Sequence, residues 1–310
     1  MDRRATGWAA MLTSTAAFGS AGAFAKPLLE AGWSPASLVT VRLAGAALVL
    51  LLPALWSMRG RWSRFAGHLP QLLGYGLFAG MVAQVAFFNA TTTMPVGMAI
   101  LFEYLGIVWV VLWGWLVRGK PLKRVTLIGM ALAVVGLVVV VNPAAPAGIS
   151  VPGLLWGLAA SLGLAVYYVV CAEVDGIPPV TFVSFGLGIG AIGLTILQAL
   201  GLQQVALSTA PAHLQGTLVP WWIGVAGLIL IAAVLAYLSG FFGTQALGST
   251  KASFVGLTEV LFAVIWAWAL LGETITPLQA LGGAVLLGGV AMVQQGDTSA
   301  LPEALPEPVA

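Results

Sequence analysis

Long apolar runs, broken at short intervals by proline, glycine and a few charged residues, recur along the whole chain. The run VTVRLAGAALVLLL (39–52) is typical, with Arg42 as its single charge. About 20 apolar residues in a helix cross a hydrocarbon core of ~30 Å. Runs of that length occur near 7–25, 35–57, 70–90, 95–117, 122–141, 152–172, 179–202, 219–243, 252–271 and 277–294. The pattern predicts an all-α polytopic membrane protein with ten transmembrane helices. Composition excludes the soluble alternative. Of the 310 residues, 60% are hydrophobic and 7% are charged, whereas soluble domains carry roughly 45–50% and 25%. So few charges cannot cover a water-facing surface.

Turn chemistry separates the runs at Lys26-Pro27, Trp33-Ser34-Pro35, Pro95, Pro121, Asn142-Pro143, Pro178-Pro179 and Pro277. Most of these prolines are expected at helix starts, where the missing N–H costs nothing. The longest polar connection, 203–217, contains Pro211 and His213. The tail 296–310 carries Pro302, Pro306 and Pro308 among Asp297, Glu303 and Glu307, and reads as a disordered cytoplasmic segment. At the start of the chain, Arg3, Arg4 and the Ala23-Phe24-Ala25 triplet share features with a cleaved leader. Asp2, the span-length apolar run and the internal symmetry favour a retained first helix.

Lysine and arginine orient the chain. With the N-terminus inside, the cytoplasmic side collects Arg3, Arg4, Arg59, Arg61, Arg64, Arg118, Lys120, Lys123, Arg124 and Lys251, and the other side only Lys26. Both termini are therefore expected in the cytoplasm, in a multi-pass protein of the inner (plasma) membrane. Trp8, Trp33, Trp56, Trp62, Trp221 and Trp222 lie near span ends, which fits interfacial aromatic belts.

The two halves resemble each other. Residues 100–121 read ILFEYLGIVWVVLWGWLVRGKP and residues 256–277 read GLTEVLFAVIWAWALLGETITP; Glu103 and Glu259, like Pro121 and Pro277, are 156 positions apart. Gly129 and Gly136 match Gly282 and Gly289 after a three-residue gap. This gives a first five-helix repeat over 7–141 and a second over 152–294. An odd number of spans per repeat inverts the second in the membrane. Inverted repeats are the architecture that opens one site alternately to either side.

At these residues the chain resembles the EamA-type members of the drug/metabolite transporter superfamily. The resemblance covers about 7–294 and is densest over LTEVLFAVIWAWALLGETITPLQALGGAVLLGGV (257–290). There Glu259, Gly272-Glu273 and Gly282-Gly283 fall where the family signature puts them, and Arg42 matches an arginine common in the family's second helix. It implies ten helices in two repeats and export of amino acids, aromatic and other, or related metabolites. Where relatives often have proline after the acid of helices four and nine, this chain has Tyr104 and Val260, which removes the residue that would kink them. The acid that small multidrug pumps carry in their first helix is also missing; only Thr13, Ser14, Thr15 and Ser20 stand there.

A charge at the bilayer centre costs ~2.5–3.5 kcal/mol on insertion scales and usually faces a cavity or a partner. Arg42, Glu103 and Glu259 are such charges. Glu103 and Glu259 lie ~12 Å from the nearer end of their helices, and Arg42 ~10 Å, at the depth of Glu103. Two readings stay open. Arg42 and an acid bind the two ends of a zwitterionic substrate, or Arg42 pairs with Glu103 to hold two helices in register. Glu259, Phe262 and Trp266 share one helix face, as do Tyr237 with Phe241 and Gln84 with Phe88. Such rings can hold an apolar side chain or an ammonium; ordinary packing is the plainer role for each. Gly76/Gly80, Gly186/Gly190 and the Ala280/Ala284/Gly288 stripe are expected to bring helices close.

Cys171 is the sole cysteine and His68 and His213 the sole histidines, so no disulfide, zinc site or other cofactor is expected. There is no HExxH, no intramembrane aspartate pair and no membrane histidine to activate a serine, which argues against an enzyme. No basic run suggests nucleic acid. The expected partners are a small-molecule substrate and membrane lipid; a monomer is compatible with all of this. The leading expectation is a secondary exporter of amino acids or metabolites. A drug or quaternary-cation exporter is the alternative, and a membrane scaffold or intramembrane enzyme a remote one. In a Cys171→Ala background, a cysteine at Ser208 should react with an impermeant thiol reagent from the periplasm and one at Ser299 should not. Equal labelling from outside would overturn the predicted topology.

Overall fold

The computed structural model describes residues 3–59, 62–91, 96–119, 123–141, 151–214, 217–272 and 276–298. The expectations placed on Pro95, Pro121, Asn142-Pro143 and Glu273 lie outside these residues, as does the tail beyond Thr298. The described apolar helices are α1 (Arg3–Glu30), α2 (Pro35–Ser57), α3 (Leu69–Ala90), α4 (Val96–Tyr104 and Gly106–Leu116), α5 (Arg124–Val141), α6 (Val151–Glu173), α7 (Pro179–Ala199), α8 (Trp221–Leu247), α9 (Ser249–Leu271) and α10 (Pro277–Thr298). Among the described residues, six helices (α2, α3, α6, α7, α8 and α9) are long and apolar enough to cross a membrane. Shorter apolar stretches lie in α4, α5 and α10. Leu48, Leu52, Trp56, Leu155, Ile192 and Leu281 point outward and stay exposed. A surface this apolar suits lipid.

Local chemistry sets several boundaries as anticipated. Ser34 caps α2, its Oγ accepting from Ser37 N at 3.2 Å, with Pro35 in the first turn. Other boundaries differ. Lys26-Pro27 does not end α1: the helix runs through Pro27 to Glu30 and turns at Gly32, whose φ of 103° only glycine adopts readily. Trp33 is buried rather than part of an interfacial belt. Its Nε1 donates to Ser208 O at 2.7 Å, and Ser34 Oγ donates to Gln204 O at 2.8 Å. These bonds strap the connection after α7 across the α1–α2 turn. That connection also holds the only regular departure from helix among the described residues, a hairpin of β1 (Ala212–Leu214) and β2 (Thr217–Val219) in which His213 pairs with Leu218. At the other end, α10 continues as helix to Thr298, past the expected start of the tail at 296.

Helix packing exchanges partners between the halves. Helix α1 packs on α8 and α9, and α6 packs on α3 and α4; α2 lies on α7 and α5 on α10. Glycine permits the closest crossings, since in lipid tight backbone approach replaces the hydrophobic drive. A Cβ on Gly76 would fall 2.6 Å from Gly186 O, and Gly80 faces Gly190. Between α5 and α10 the matched glycines of the two halves meet reciprocally: a Cβ on Gly129 would lie 2.8 Å from Gly289 O, and one on Gly289 2.6 Å from Gly129 O. The Ala280/Ala284/Gly288 stripe is exposed instead, and Gly288 has open space beside it. The face of α10 that meets α5 is the one carrying Gly282 and Gly289, nearly opposite.

Four helices are interrupted near mid-span. α4 breaks at Leu105 and α9 at Leu257, each through three-residue hydrogen-bond steps (Leu105 N to Phe102 O at 3.1 Å, Leu257 N to Phe254 O at 3.1 Å). No proline is involved; Gly106 and Gly256 adjoin these breaks and pack against α6. Helices α3 and α8 each contain a π-helical segment, Gly74–Val82 and Leu230–Leu235.

Exposure differs between the two ends of the bundle. In α9, Ala252 to Thr258 are all buried, as is Val260, whereas no described residue from Leu261 to Leu271 is. Along the inner face of α1, Ser14 is buried, Phe18 half-buried and Gly22 exposed. The bundle is closed where α1 begins; where α1 ends, Leu28, Trp33 and Leu38 still pack against α8 and the strapping connection, and the opening lies along α9. Gly289→Val, which drives a side chain into the α5 backbone, should lower the recovery and melting temperature of purified protein, by an overpacking cost of about 1–3 kcal/mol. Gly288→Ala next to it should leave both unchanged. Equal effects would refute the α5–α10 contact.

Candidate functional site

Arg42 is held by a defect in α8. The N–H of Ala236 bonds to Ile231 O, five residues back, so the ladder steps past Ala232. The released Ala232 carbonyl accepts from Arg42 Nη2 at 2.9 Å. Above and beside the guanidinium stand two rings in edge-to-face contact, Phe18 and Tyr237, with centroids 4.7 Å apart. Arg42 Cζ lies 5.7 Å from the first ring and 5.8 Å from the second, within cation–π range. Its Nε is enclosed and meets no hydrogen-bond partner.

The two acids flank this arginine from opposite halves. Glu103 precedes the break in α4 and Glu259 follows the break in α9. Both side chains are partly buried. Electrostatic interaction links Glu103 to both Glu259 and Arg42, and Glu259 to Arg42. Fields of this kind carry far in a low-dielectric interior. Among the described residues no ion-pair contact joins Arg42 to Glu103, so the direct register-holding pair, one of the two readings, is not formed, and Arg42 meets the Ala232 carbonyl and two rings. Tyr104, in the position where relatives often have proline, interacts electrostatically with Glu259 across the two halves.

Helix α1 positions the second acid. Gly19 lies so close to α9 that a Cβ would fall 2.8 Å from both Glu259 O and Ala263 N. One turn earlier, Thr258 Oγ1 donates to Thr15 Oγ1 at 3.0 Å. Trp266 shares the Glu259 face as anticipated, and its Nε1 donates to Ala16 O at 2.8 Å, tying α9 to α1. Phe262 is half-buried on that face, its Cβ against Gly19. Tyr237 is buried beside Arg42, while Phe241, one turn on, faces Phe182 in the closed end at 5.3 Å. Gln84 and Phe88 lie half-buried on the open half of α3, with the Phe88 ring 5.6 Å from Phe87.

Phe18, Gly19 and Tyr104 were not singled out as site residues. Phe18 and Gly19 sit in the uncharged first span with no pattern to mark them. Tyr104 did carry a signal, a polar ring next to Glu103 in an otherwise apolar run.

Partly buried charges of both signs at the middle of a lipid-facing helical bundle mark a functional site of a membrane protein. The chain belongs to the EamA-like transporter family, whose sequence profile matches residues 5–142 and again 151–294. It is 25% identical over 222 residues to an uncharacterized transporter of Archaeoglobus fulgidus, covering 71% of this chain and 74% of that one. A crystal structure at 20% identity has the same fold, with a TM-score of 0.69 over 94% of this chain and 96% of the other. The protein is therefore a transporter and not an enzyme.

Trp266→Phe keeps an aromatic ring but removes the bond to Ala16 and part of the indole's packing volume. It should cost about 1–3 kcal/mol of stability, read as a lower melting temperature, with transport by the surviving folded protein intact. A loss of transport without loss of stability would make the indole a substrate contact instead.

Proposed function

We propose that this protein exports amino acids, aromatic and other, or related zwitterionic metabolites across the inner membrane by alternating access. The observation that carries the reading is the centre itself: one guanidinium and two carboxylates in mutual electrostatic reach, walled by Phe18, Tyr237 and the half-buried Phe262. The guanidinium donors of Arg42 that the Ala232 carbonyl does not engage suit a substrate carboxylate. Glu259 and Glu103 attract its ammonium, and the rings accept an apolar or aromatic side chain. Gln84, Phe88 and Trp266 border the open half. In this reading the chain has ten spans in two inverted five-helix repeats, over 7–141 and 152–294, with both termini cytoplasmic. The structure's open end then faces away from the cytoplasm.

The excess of carboxylate over guanidinium at the centre also suits a cationic substrate, and counterflow separates the two. Proteoliposomes preloaded with unlabelled amino acid should accumulate radiolabelled phenylalanine or threonine; uptake of lipophilic cations alone would establish a drug exporter. Glu259→Gln should fold normally and lower flux. A raised half-saturation concentration at every pH identifies ammonium binding, whereas loss of a pH-sensitive rate identifies a protonation step. Wild-type flux and affinity at all pH values would remove Glu259 from the site.

A further inference from the structure

The closed end of the bundle is sealed by rings, and two of them carry hydroxyls with nothing to bond. Tyr75 (α3), Tyr167 and Tyr168 (α6), Phe182 (α7) and Phe241 (α8) are each at most 5% exposed. Ring centroids link them into one set: Tyr75 to Phe182 at 5.2 Å, Phe182 to Phe241 at 5.3 Å, Tyr75 to Tyr167 at 5.8 Å and Tyr167 to Tyr168 at 5.0 Å. Tyr237 adjoins both Tyr75 and Tyr167, at 6.3 and 6.1 Å, and also faces Arg42. The seal thus begins directly beneath the charged centre.

Phenylalanine would fill these positions with the same shape, so the hydroxyls need a reason. The Tyr75 and Tyr167 hydroxyls are enclosed and have no hydrogen-bond partner among the described residues. An enclosed hydroxyl without a partner is destabilising in the state that encloses it, and the penalty vanishes once water or a polar ligand reaches it. Both groups therefore oppose the closed end and favour its opening. The rings work the other way, through edge-to-face contact and burial.

We propose that Tyr75 and Tyr167 form a loaded latch that sets how often the α1-start end opens, and so the rate at which the central site meets that side. The latch rests on the alternating-access reading for its role in transport, but its opening can be measured without substrate. Cys171, the only cysteine, is one helical turn beyond Tyr167, fully buried in the same packed cluster. Its alkylation reports opening of this end.

In proteoliposomes without substrate, N-ethylmaleimide should modify Cys171 slowly. Tyr75→Phe and Tyr167→Phe should each slow that reaction about fivefold or more, because the closed state loses a desolvated hydroxyl. The double change should slow it further, with melting temperatures equal to or above wild type. Tyr75→Ala, which removes the ring, should accelerate it. Modification of the phenylalanine variants at the wild-type rate or faster would overturn the latch. So would an unaltered rate in Tyr75→Ala. An impermeant maleimide tests the side separately: it should reach Cys171 only from the face bearing the N-terminus. Correct rate order with access from the other face, or with no amino-acid flux, would leave the latch standing and refute the orientation or the substrate reading instead.

Discussion

A guanidinium in the middle of a lipid-facing bundle must find acceptors, and the arrangement around Arg42 follows from that demand. In a regular α8 each carbonyl would already be engaged by the N–H four residues on, leaving only its second lone pair. The π-helical turn at 230–235 disengages the Ala232 carbonyl and hands it to Arg42. Two rings in edge-to-face contact then cover the rest of the cation. Of the five N–H donors of the guanidinium only one is given a hydrogen-bond partner among the described residues, and this residual demand makes the centre a place for an anion rather than a finished structural pair.

The two acids depend on a similar relaxation of helix geometry. Both stand beside breaks made without proline, at Leu105 and Leu257, where the chain tightens to three-residue steps and a neighbouring glycine lets α6 press against the turn. A break next to a charge loosens the local ladder and lets the carboxylate lean toward the centre. The close α1–α9 crossing at Gly19 and the Thr15–Thr258 bond hold Glu259 from behind. Helix α1 therefore reaches two of the three charges: Phe18 covers Arg42, and Gly19 and Ala16 fix the helix that carries Glu259 and Trp266. It does so without contributing a single charge.

The asymmetry of the ends turns this arrangement into a vessel. On one side, tyrosine and phenylalanine from four helices interlock beneath the charges; on the other, the outer half of α9 has no buried residue. Glycine crossings between α3 and α7, and between α5 and α10, keep the walls close enough for this without filling the interior.

Several features were legible in the sequence because they depend on spacing alone. The apolar runs give the helix positions, with α2 at Pro35–Ser57 and α6 at Val151–Glu173 close to where hydropathy puts them. Counting from helix ends places Arg42 at the depth of Glu103, with Glu103 and Glu259 near the midplane from opposite sides, and the 156-residue echo brings out the paired acids. What spacing cannot convey is rotation of one helix about its axis relative to the next. A different rotation put Ala280, Ala284 and Gly288 outside and Gly282 and Gly289 against α5. Tertiary packing likewise decided that Arg42 bonds a backbone carbonyl and not Glu103, because the released acceptor exists only once α8 has formed its π turn against α2. Which end is closed was also invisible in the sequence, since the same rings would be found in either state and only their mutual contact shows that this one is sealed.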